Sequence, residues 1–234
     1  MNATKEESLA CDRIELLKVG EVTVWTLPGK SAFFYKSGMA IDADGAPEAY
    51  HPDDVGLDLL ANAGRPGNWW ALVTDTAEPN GIPILQDPND PAPGFYVSMT
   101  ALEDKTKERT DPGRYVDSQQ IPYIVLSGAV MREGGAKLGD FAFVINRRNG
   151  KLCHAIFADI GPKDKLGEGS IALAETLGIP SNPRRGGSDG EIVYVVFPGS
   201  GNRKSRPLAE IETEATTLFE GWGGVKQIDA CFPG

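Results

Sequence analysis

The stretch that decides the fold runs Phe157-Ala-Asp-Ile-Gly-Pro-Lys-Asp-Lys-Leu-Gly-Glu-Gly-Ser-Ile-Ala-Leu-Ala-Glu-Thr-Leu-Gly178. It is typical of a strand that ends at Asp159, followed by a Gly-Pro turn and a second carboxylate at Glu168. A helix is predicted from about Ser170 to Leu177, because Gly178 and a nearby proline end the helical pattern. The sequence therefore predicts two carboxylates close to one strand end.

Two such carboxylates suit the cleavage of a glycosidic bond. One carboxyl group protonates the leaving oxygen, and the other activates water or attacks carbon. Alternation along the strand predicts that Asp159 shares a face with Ala155 and Phe157, beside apolar packing. Spacing alone leaves a structural alternative open, in which Asp159 supports the turn and Glu168 stabilises the N terminus of the helix.

Short runs rich in Val, Ile, Phe and Tyr surround this stretch and predict a β-rich protein, all-β or α+β. The predicted strands are 21–27, 32–36, 69–74, 94–100, 122–127, 141–146, 151–158 and 191–197. A further helix is predicted from a cap at Ser205 through the apolar stripe that ends at Trp222. We expect one catalytic domain over 1–234, with an N-terminal extension (1–30), a core (31–201) and a C-terminal helix and tail (202–234).

The composition restricts the choice of partners. The formal net charge of −10 and the sequence pI near 4.8 argue against nucleic acid and anionic membranes and favour a polycation, although excess acid also serves solubility. No apolar run reaches the roughly 18–20 residues of a membrane helix. Three cysteines and two histidines form no metal-ligand pattern, so we predict neither a metal site nor a cofactor. Cys11 and Cys231 are equally compatible with a disulfide and with free thiols.

Four segments resemble one known family. They are Ile156-Phe157-Ala158-Asp159 with Gly167-Glu168-Gly169-Ser170, Gly38-Met-Ala-Ile-Asp42-Ala-Asp44-Gly45, Ile121-Pro-Tyr-Ile-Val-Leu126 and Glu191-Ile-Val-Tyr-Val-Val-Phe-Pro-Gly199. Their order is similar to that in the fungal-type chitosanases of glycoside hydrolase family 75, over roughly residues 31–201. The resemblance implies an endo-acting hydrolase of β-1,4 bonds in chitosan, with Asp159 and Glu168 as its essential carboxylates.

A second likeness concerns architecture. The segment from Asp159 to Gly178 is similar to a part of the double-psi β-barrels found in some lytic transglycosylases and inverting endoglucanases. It implies a six-stranded double-psi-like β-barrel with long loops and two or three helices. On that analogy Glu168 is the general acid and Asp159 the base of an inverting mechanism, and the reverse order stays open. The neighbouring Lys163 and Lys165 would favour an ionised Asp159.

Subsites for a polymer of ammonium-bearing sugars should offer carboxylates and flat aromatic faces. We predict substrate contacts at Asp42, Asp44, Trp69, Trp70 and Tyr123. Because adjacent strand residues face opposite ways, one of the two tryptophans should belong to the core. The Asp-x-Asp-Gly turn is also compatible with a structural role, and a calcium site is disfavoured because the full ligand spacing is absent.

Two other functions stay open at this point. One is a non-catalytic carbohydrate-binding barrel protein, which would commonly lack one of the two carboxylates. The other is a hydrolase or lytic enzyme that acts on another wall polysaccharide. A serine hydrolase is disfavoured because the chain has no Gly-x-Ser-x-Gly motif. We expect a secreted monomer whose signal peptide is absent from this sequence, although an intracellular location also stays open.

Overall fold

Six strands close on themselves because the last strand of the eight-stranded sheet also pairs with the third strand in its order. The computed structural model describes residues 11–233. The strands are β1 (Ile14–Val19), β2 (Val22–Thr26), β3 (Phe33–Asp42), β4 (Gly64–Arg65), β5 (Asn68–Trp69), β6 (Tyr123–Ser127), β7 (Phe141–Asn146), β8 (Lys151–Gly161), β9 (Glu168–Ser170) and β10 (Ser188–Val196). The order β3-β10-β7-β8-β6-β9 returns to β3 and forms the barrel. The predicted β-rich class and six-stranded barrel are confirmed.

The barrel mixes two strand directions. β3 runs parallel to β9, and β6 runs parallel to β8. The remaining neighbours in the barrel are antiparallel. β1 and β2 form a hairpin, within the expected extension, that joins the barrel where Trp25 and Thr26 pair with β3. This arrangement places β6 between β8 and β9, the two strands that carry the predicted carboxylates.

Two predicted strands are wrong. The runs 69–74 and 94–100 have strand-like composition, but only Trp69 lies in a short strand of the separate two-stranded sheet. Elsewhere they pair through isolated bridges, such as Leu72 with Ser98. Scattered backbone hydrogen bonds hold these segments, as where the Val73 N–H donates to the Val97 carbonyl at 2.9 Å, together with side-chain bonds such as that from Thr74 Oγ1 to the Glu78 carbonyl at 2.7 Å. β1 and β9 are not among the predicted strands.

Alternating side chains divide the core into two apolar clusters. The cluster inside the barrel contains Tyr35, Ile124 and Phe157, together with the buried face of α2. The second cluster covers the outer face and contains Val125 and Phe143, beneath the C-terminal helices. Which cluster a strand residue joins therefore reports whether it points into or out of the barrel.

The helices are α1 (Gly128–Glu133), α2 (Ile171–Leu177), α3 (Leu208–Trp222) and α4 (Gly224–Cys231). α2 begins as predicted, because the Ser170 hydroxyl accepts the Leu173 N–H at 3.1 Å, and it ends at Gly178 in the left-handed conformation. The predicted Ser205 cap is wrong: α3 begins after Pro207, without a side-chain cap. α1 and α4 are additional to the two predicted helices.

A disulfide between Cys11 and Cys231, with 5.1 Å between the Cα atoms, joins the start of the hairpin to the end of α4. Arg13 strengthens this junction, since its guanidinium donates to the Cys231 carbonyl and stacks over the Trp25 ring. The hairpin is thus fixed at its base. Within residues 11–233, no helix has the length and apolar character required to cross a membrane.

Candidate active site

A β-bulge in β8 decides where Asp159 points. Ile124 of β6 pairs with Phe157, but the next pair joins Val125 to Asp159, so Ala158 is the extra residue. The bulge cancels one step of the strand alternation. The predicted shared face with Ala155 and Phe157 is therefore wrong, and Asp159 lies opposite Val125, whose side chain belongs to the outer cluster.

Glu168 reaches the same face from the other side of β6. It is the first residue of β9 and pairs with Val125 on one side and with Ala40 on the other. Asp159 and Glu168 thus flank Val125, two strand spacings or roughly 10 Å apart between Cα atoms. Glu168 precedes the N-cap Ser170 by two residues and lies in a strand, which leaves the capping of α2 to the serine.

The residue before Glu168 must be a glycine. Gly167 has φ +92°, and an added Cβ would lie 2.4 Å from both the Gly38 carbonyl oxygen and the Ser37 hydroxyl. The Gly167 carbonyl also accepts the Ala40 N–H at 2.9 Å. This close approach of the chain to β3 fixes the backbone from which the Glu168 side chain projects.

Both carboxylates line a groove of about 1060 Å³. Acidic side chains dominate its lining, and Lys165 is the one basic side chain among the lining residues that the structure describes. The lining acids are Glu21, Asp42, Asp44, Asp58, Asp159, Asp164 and Glu168. Those acids that are ionised therefore attract a cationic ligand to the groove.

Asp42 and Asp44, at the end of β3, bring two further carboxylates to Asp159. Carboxylate oxygens of the three residues lie within 4.8 Å of one another. Asp159 Oδ1 accepts the N–H groups of Ala101 and Ile160, each at 2.8 Å. The Tyr50 hydroxyl donates to Asp44 Oδ1 at 2.7 Å.

Burial and mutual repulsion raise the pKa values of the whole group. Burial, followed by the charge of Asp42, raises the pKa of Asp159 to about 8. Burial and the charges of Asp42 and Asp159 raise the pKa of Glu168 to about 8, while Lys165 acts to lower it. Burial raises the pKa of Asp42 to about 6 and that of Asp44 well above its usual range.

The expected effect of the lysines on Asp159 is absent from this balance. Lys165 acts on Glu168, and the groups that lower the pKa of Asp159 are the two backbone N–H donors and Asp44. The predicted influence of Lys163 and Lys165 on Asp159 is therefore wrong, because burial, Asp42 and these hydrogen-bond partners are what act on the pKa of Asp159.

Within residues 11–233, one group of acidic side chains has a spacing that would suit a cation. It consists of Asp42, Asp44 and Asp159. Each already accepts a hydrogen bond, from the Asp44 N–H, from Tyr50 and from two backbone N–H groups respectively. A calcium ion takes about six to eight oxygen ligands. We assign no metal to a group of three engaged carboxylates.

The predicted aromatic contacts divide into three kinds. Trp70 lines the groove with 53% of its surface exposed, and its Nε1 donates to the Asn62 carbonyl at 2.8 Å, which leaves the ring face free. Trp69 is 7% exposed and packs in the interior cluster, so a sugar contact there is wrong. Tyr123 is fully buried, which also excludes stacking on a sugar, and its hydroxyl donates to the Asp44 carbonyl at 3.0 Å.

Three contributors to the site lie outside the sequence predictions. Asp58 is a buried groove acid that accepts hydrogen bonds from Leu59 and Asn62. Ala101 contributes only its backbone N–H, which leaves no side-chain signal in the sequence. Gly161 provides space beside Glu168, and a glycine after a strand acid is too common to single out.

Comparison with known families gives one match. Residues 95–222, more than half of the chain, match the fungal chitosanases of glycosyl hydrolase group 75, and the segment includes both Asp159 and Glu168. A comparison with curated proteins found no match. The acidic groove and the family match agree on a glycoside hydrolase whose substrate is the cationic polysaccharide chitosan. The chain belongs to the fungal chitosanase family, glycosyl hydrolase group 75.

Proposed function

We propose that the protein is an endo-chitosanase that cleaves β-1,4 bonds by an inverting mechanism, with Glu168 as general acid and Asp159 as general base. The observation that carries the proposal is the pairing of both residues with Val125, which directs two carboxylates to one face of one groove. Their strand separation is compatible with the roughly 6.5–9.5 Å between carboxyl groups of inverting enzymes.

The raised pKa of Glu168 supports its role as the acid. A general acid must hold its proton at working pH, which a pKa of about 8 allows. The pKa of Asp159 is raised to about 8 as well, so the order of the two roles rests on the two backbone N–H donors to Asp159, which stabilise its charged form. Glu168 would protonate the leaving glycosidic oxygen while Asp159 takes a proton from a water molecule that attacks the anomeric carbon from the opposite side. Each turnover then moves one proton from Glu168 to the leaving group and one from water to Asp159.

The groove supports an internal cut in a long cationic chain. Its volume of about 1060 Å³ exceeds the range typical of small-ligand pockets, roughly 300–1,000 Å³, so that several sugar units fit. We infer that Trp70 stacks on a sugar ring and that Asp42 faces a sugar ammonium group. An endo-acting enzyme should lower the viscosity of a chitosan solution well before most reducing ends appear.

The central test is reducing-sugar release from chitosan by the wild type, Asp159→Asn and Glu168→Gln. Each amide variant should lose about 10²–10⁴-fold in kcat, because each loses a proton-transfer group, with little change in Tm. Glu175→Gln, on the exposed side of α2, is the matched control and should stay active. Near-normal activity of either site variant would contradict the assignment, and a β-configured product would contradict inversion.

We also infer that the protein acts outside the cell, where disulfides such as Cys11–Cys231 persist. Cys153 is buried as a free thiol. Thiol titration of the denatured protein, isolated without reductant from the natural source, should therefore find one thiol per chain. Finding three would oppose an oxidising location.

A further inference from the structure

Asp44 and Asp159 form a close pair of carboxyl groups in which a double charge is disfavoured. Carboxylate oxygens of the two lie within 4.8 Å of each other and of Asp42. Like charges this close in a largely enclosed site repel each other, which favours the retention of one proton by the pair. A hydrogen bond between two carboxyl groups also requires that one of them supply the hydrogen.

The surrounding donors decide which of the two keeps the proton. Asp159 accepts two backbone N–H groups, from Ala101 and Ile160, and hydrogen bonds of this kind stabilise a carboxylate in its charged form. Asp44 has a single side-chain donor, the neutral hydroxyl of Tyr50. The charge is therefore more stable on Asp159 and the proton more stable on Asp44.

We propose that Asp44 is a positioning residue that remains protonated and donates a hydrogen bond to Asp159, which keeps Asp159 ionised and oriented to accept a proton from water. The proposal rests on the assignment of Asp159 as the base. The proton of Asp44 stays on Asp44 throughout, and the proton taken from water goes to Asp159. An ammonium ligand at this position would instead need an ionised Asp44.

The groups around the pair act in the same direction. Burial, and then the charges of Asp42 and Asp159, raise the pKa of Asp44 well above its usual range, and the hydrogen bond from Asp44 lowers the pKa of Asp159. The titratable groups that face the pair are Asp42 from β3, Tyr50 and Asp58 from the following loop, Tyr123 from β6 and Glu168 from β9. None of these side chains is a cation that would favour an ionised Asp44.

The kinetic test compares Asp44→Asn with Asp44→Ala. An asparagine amide still donates a hydrogen bond and cannot ionise, so Asp44→Asn should keep kcat within about threefold and leave KM near the wild-type value. Asp44→Ala should lose about 10²-fold or more in kcat. The acid limb of the pH–activity profile of Asp44→Ala should also move to higher pH. Asp159 loses a hydrogen bond that lowers its pKa, so Asp159 becomes protonated at a higher pH than in the wild type. Asp53→Asn, exposed on the following loop, is the control.

A large rise in KM for Asp44→Asn would overturn the proposal in favour of ammonium binding. Equal losses of kcat in Asp44→Asn and Asp44→Ala would overturn the proposal in favour of an ionised Asp44 with another role.

A substrate-free measurement separates this inference from the proposed function. Carbon-13 NMR of labelled aspartate carboxyl groups should show the Asp44 carboxyl, identified as the signal that is lost in Asp44→Asn, protonated well above the ordinary aspartate range. If Asp44 titrates in the ordinary range, the inference fails even if chitosan is hydrolysed. If the wild type releases no sugar from chitosan while the signal is present, the proposed function fails but the inference that Asp44 remains protonated is supported.

Discussion

Gly161 provides space that the Glu168 carboxylate needs. An added Cβ at this position would lie 2.8 Å from Val125 Cγ1 and 3.2 Å from Glu168 Oε2. We expect Gly161→Ala to lower kcat by about 10- to 100-fold, because small displacements of a reacting group are costly. Gly190→Ala is the matched control, since its added Cβ meets no atom within 4 Å. Equal kcat values in the two variants would show that Glu168 tolerates the displacement.

Lys165 should shift the alkaline limit of activity through its effect on the pKa of Glu168. A general acid works only while protonated, so activity should be lost as the pH rises through the pKa of Glu168, about 8. Lys165 lowers that pKa, and Lys165→Met should therefore move the alkaline limb to higher pH by a few tenths of a unit, as expected for an exposed charge. Lys163→Met, two residues away and outside the groove lining, should leave the limb in place. A shift to lower pH in Lys165→Met would contradict this account.

At the residue scale the sequence predicts the two carboxylates but not their surroundings. Asp159 and Glu168 stand out because the first ends a strand-like run just before a Gly-Pro turn and the second lies between two glycines ahead of a helix. The bulge at Ala158 has no comparable signal, and without it the alternation places Asp159 on the wrong face. The contact of Asp44 with Asp159 depends on barrel closure, which brings together residues that are far apart in the chain.

At the element scale, the end of α3 offers a test of backbone conformation. Gly221 lies within the helix, and an added Cβ there meets no atom within 4 Å, so Gly221→Ala should raise the free energy of unfolding by about 0.5–1 kcal/mol. Gly223 has φ +125°, and its Cβ would lie 2.9 Å from Gln227 Cβ. Gly223→Ala should therefore destabilise the protein in urea unfolding. Changes of the same sign would argue against the described helix end.

Elements with regular partners are the predictable ones. The strands around 141–146 and 151–158 match the structure, because an Asn-Gly turn joins two apolar runs that pair along their length. The runs 69–74 and 94–100 have similar composition but lie among Pro- and Gly-rich segments that limit them to isolated bridges. α4 escapes prediction because the Gly223-Gly224 pair that ends α3 also opens the next helix.

At the scale of the whole molecule, one covalent bond closes almost the entire chain. Cys11 and Cys231 are separated by 220 residues, so the disulfide restricts the unfolded state strongly. Cys11→Ser should lower the free energy of unfolding in urea by about 2–5 kcal/mol. A reductant should destabilise the wild type to a similar extent and leave the variant unchanged. A wild type insensitive to reductant would show that the bond contributes little.

The barrel fixes the gap between the proposed acid and base without help from any loop. Asp159 and Glu168 are both held by main-chain ladders to Val125, whereas Trp70, the proposed sugar platform, belongs to an irregular segment. Substrate preference and catalytic geometry are thus encoded in separable parts of the chain. Protein engineers could therefore graft new segments around the groove to direct the enzyme to other charged polymers. The distance between the proposed acid and base would stay unchanged.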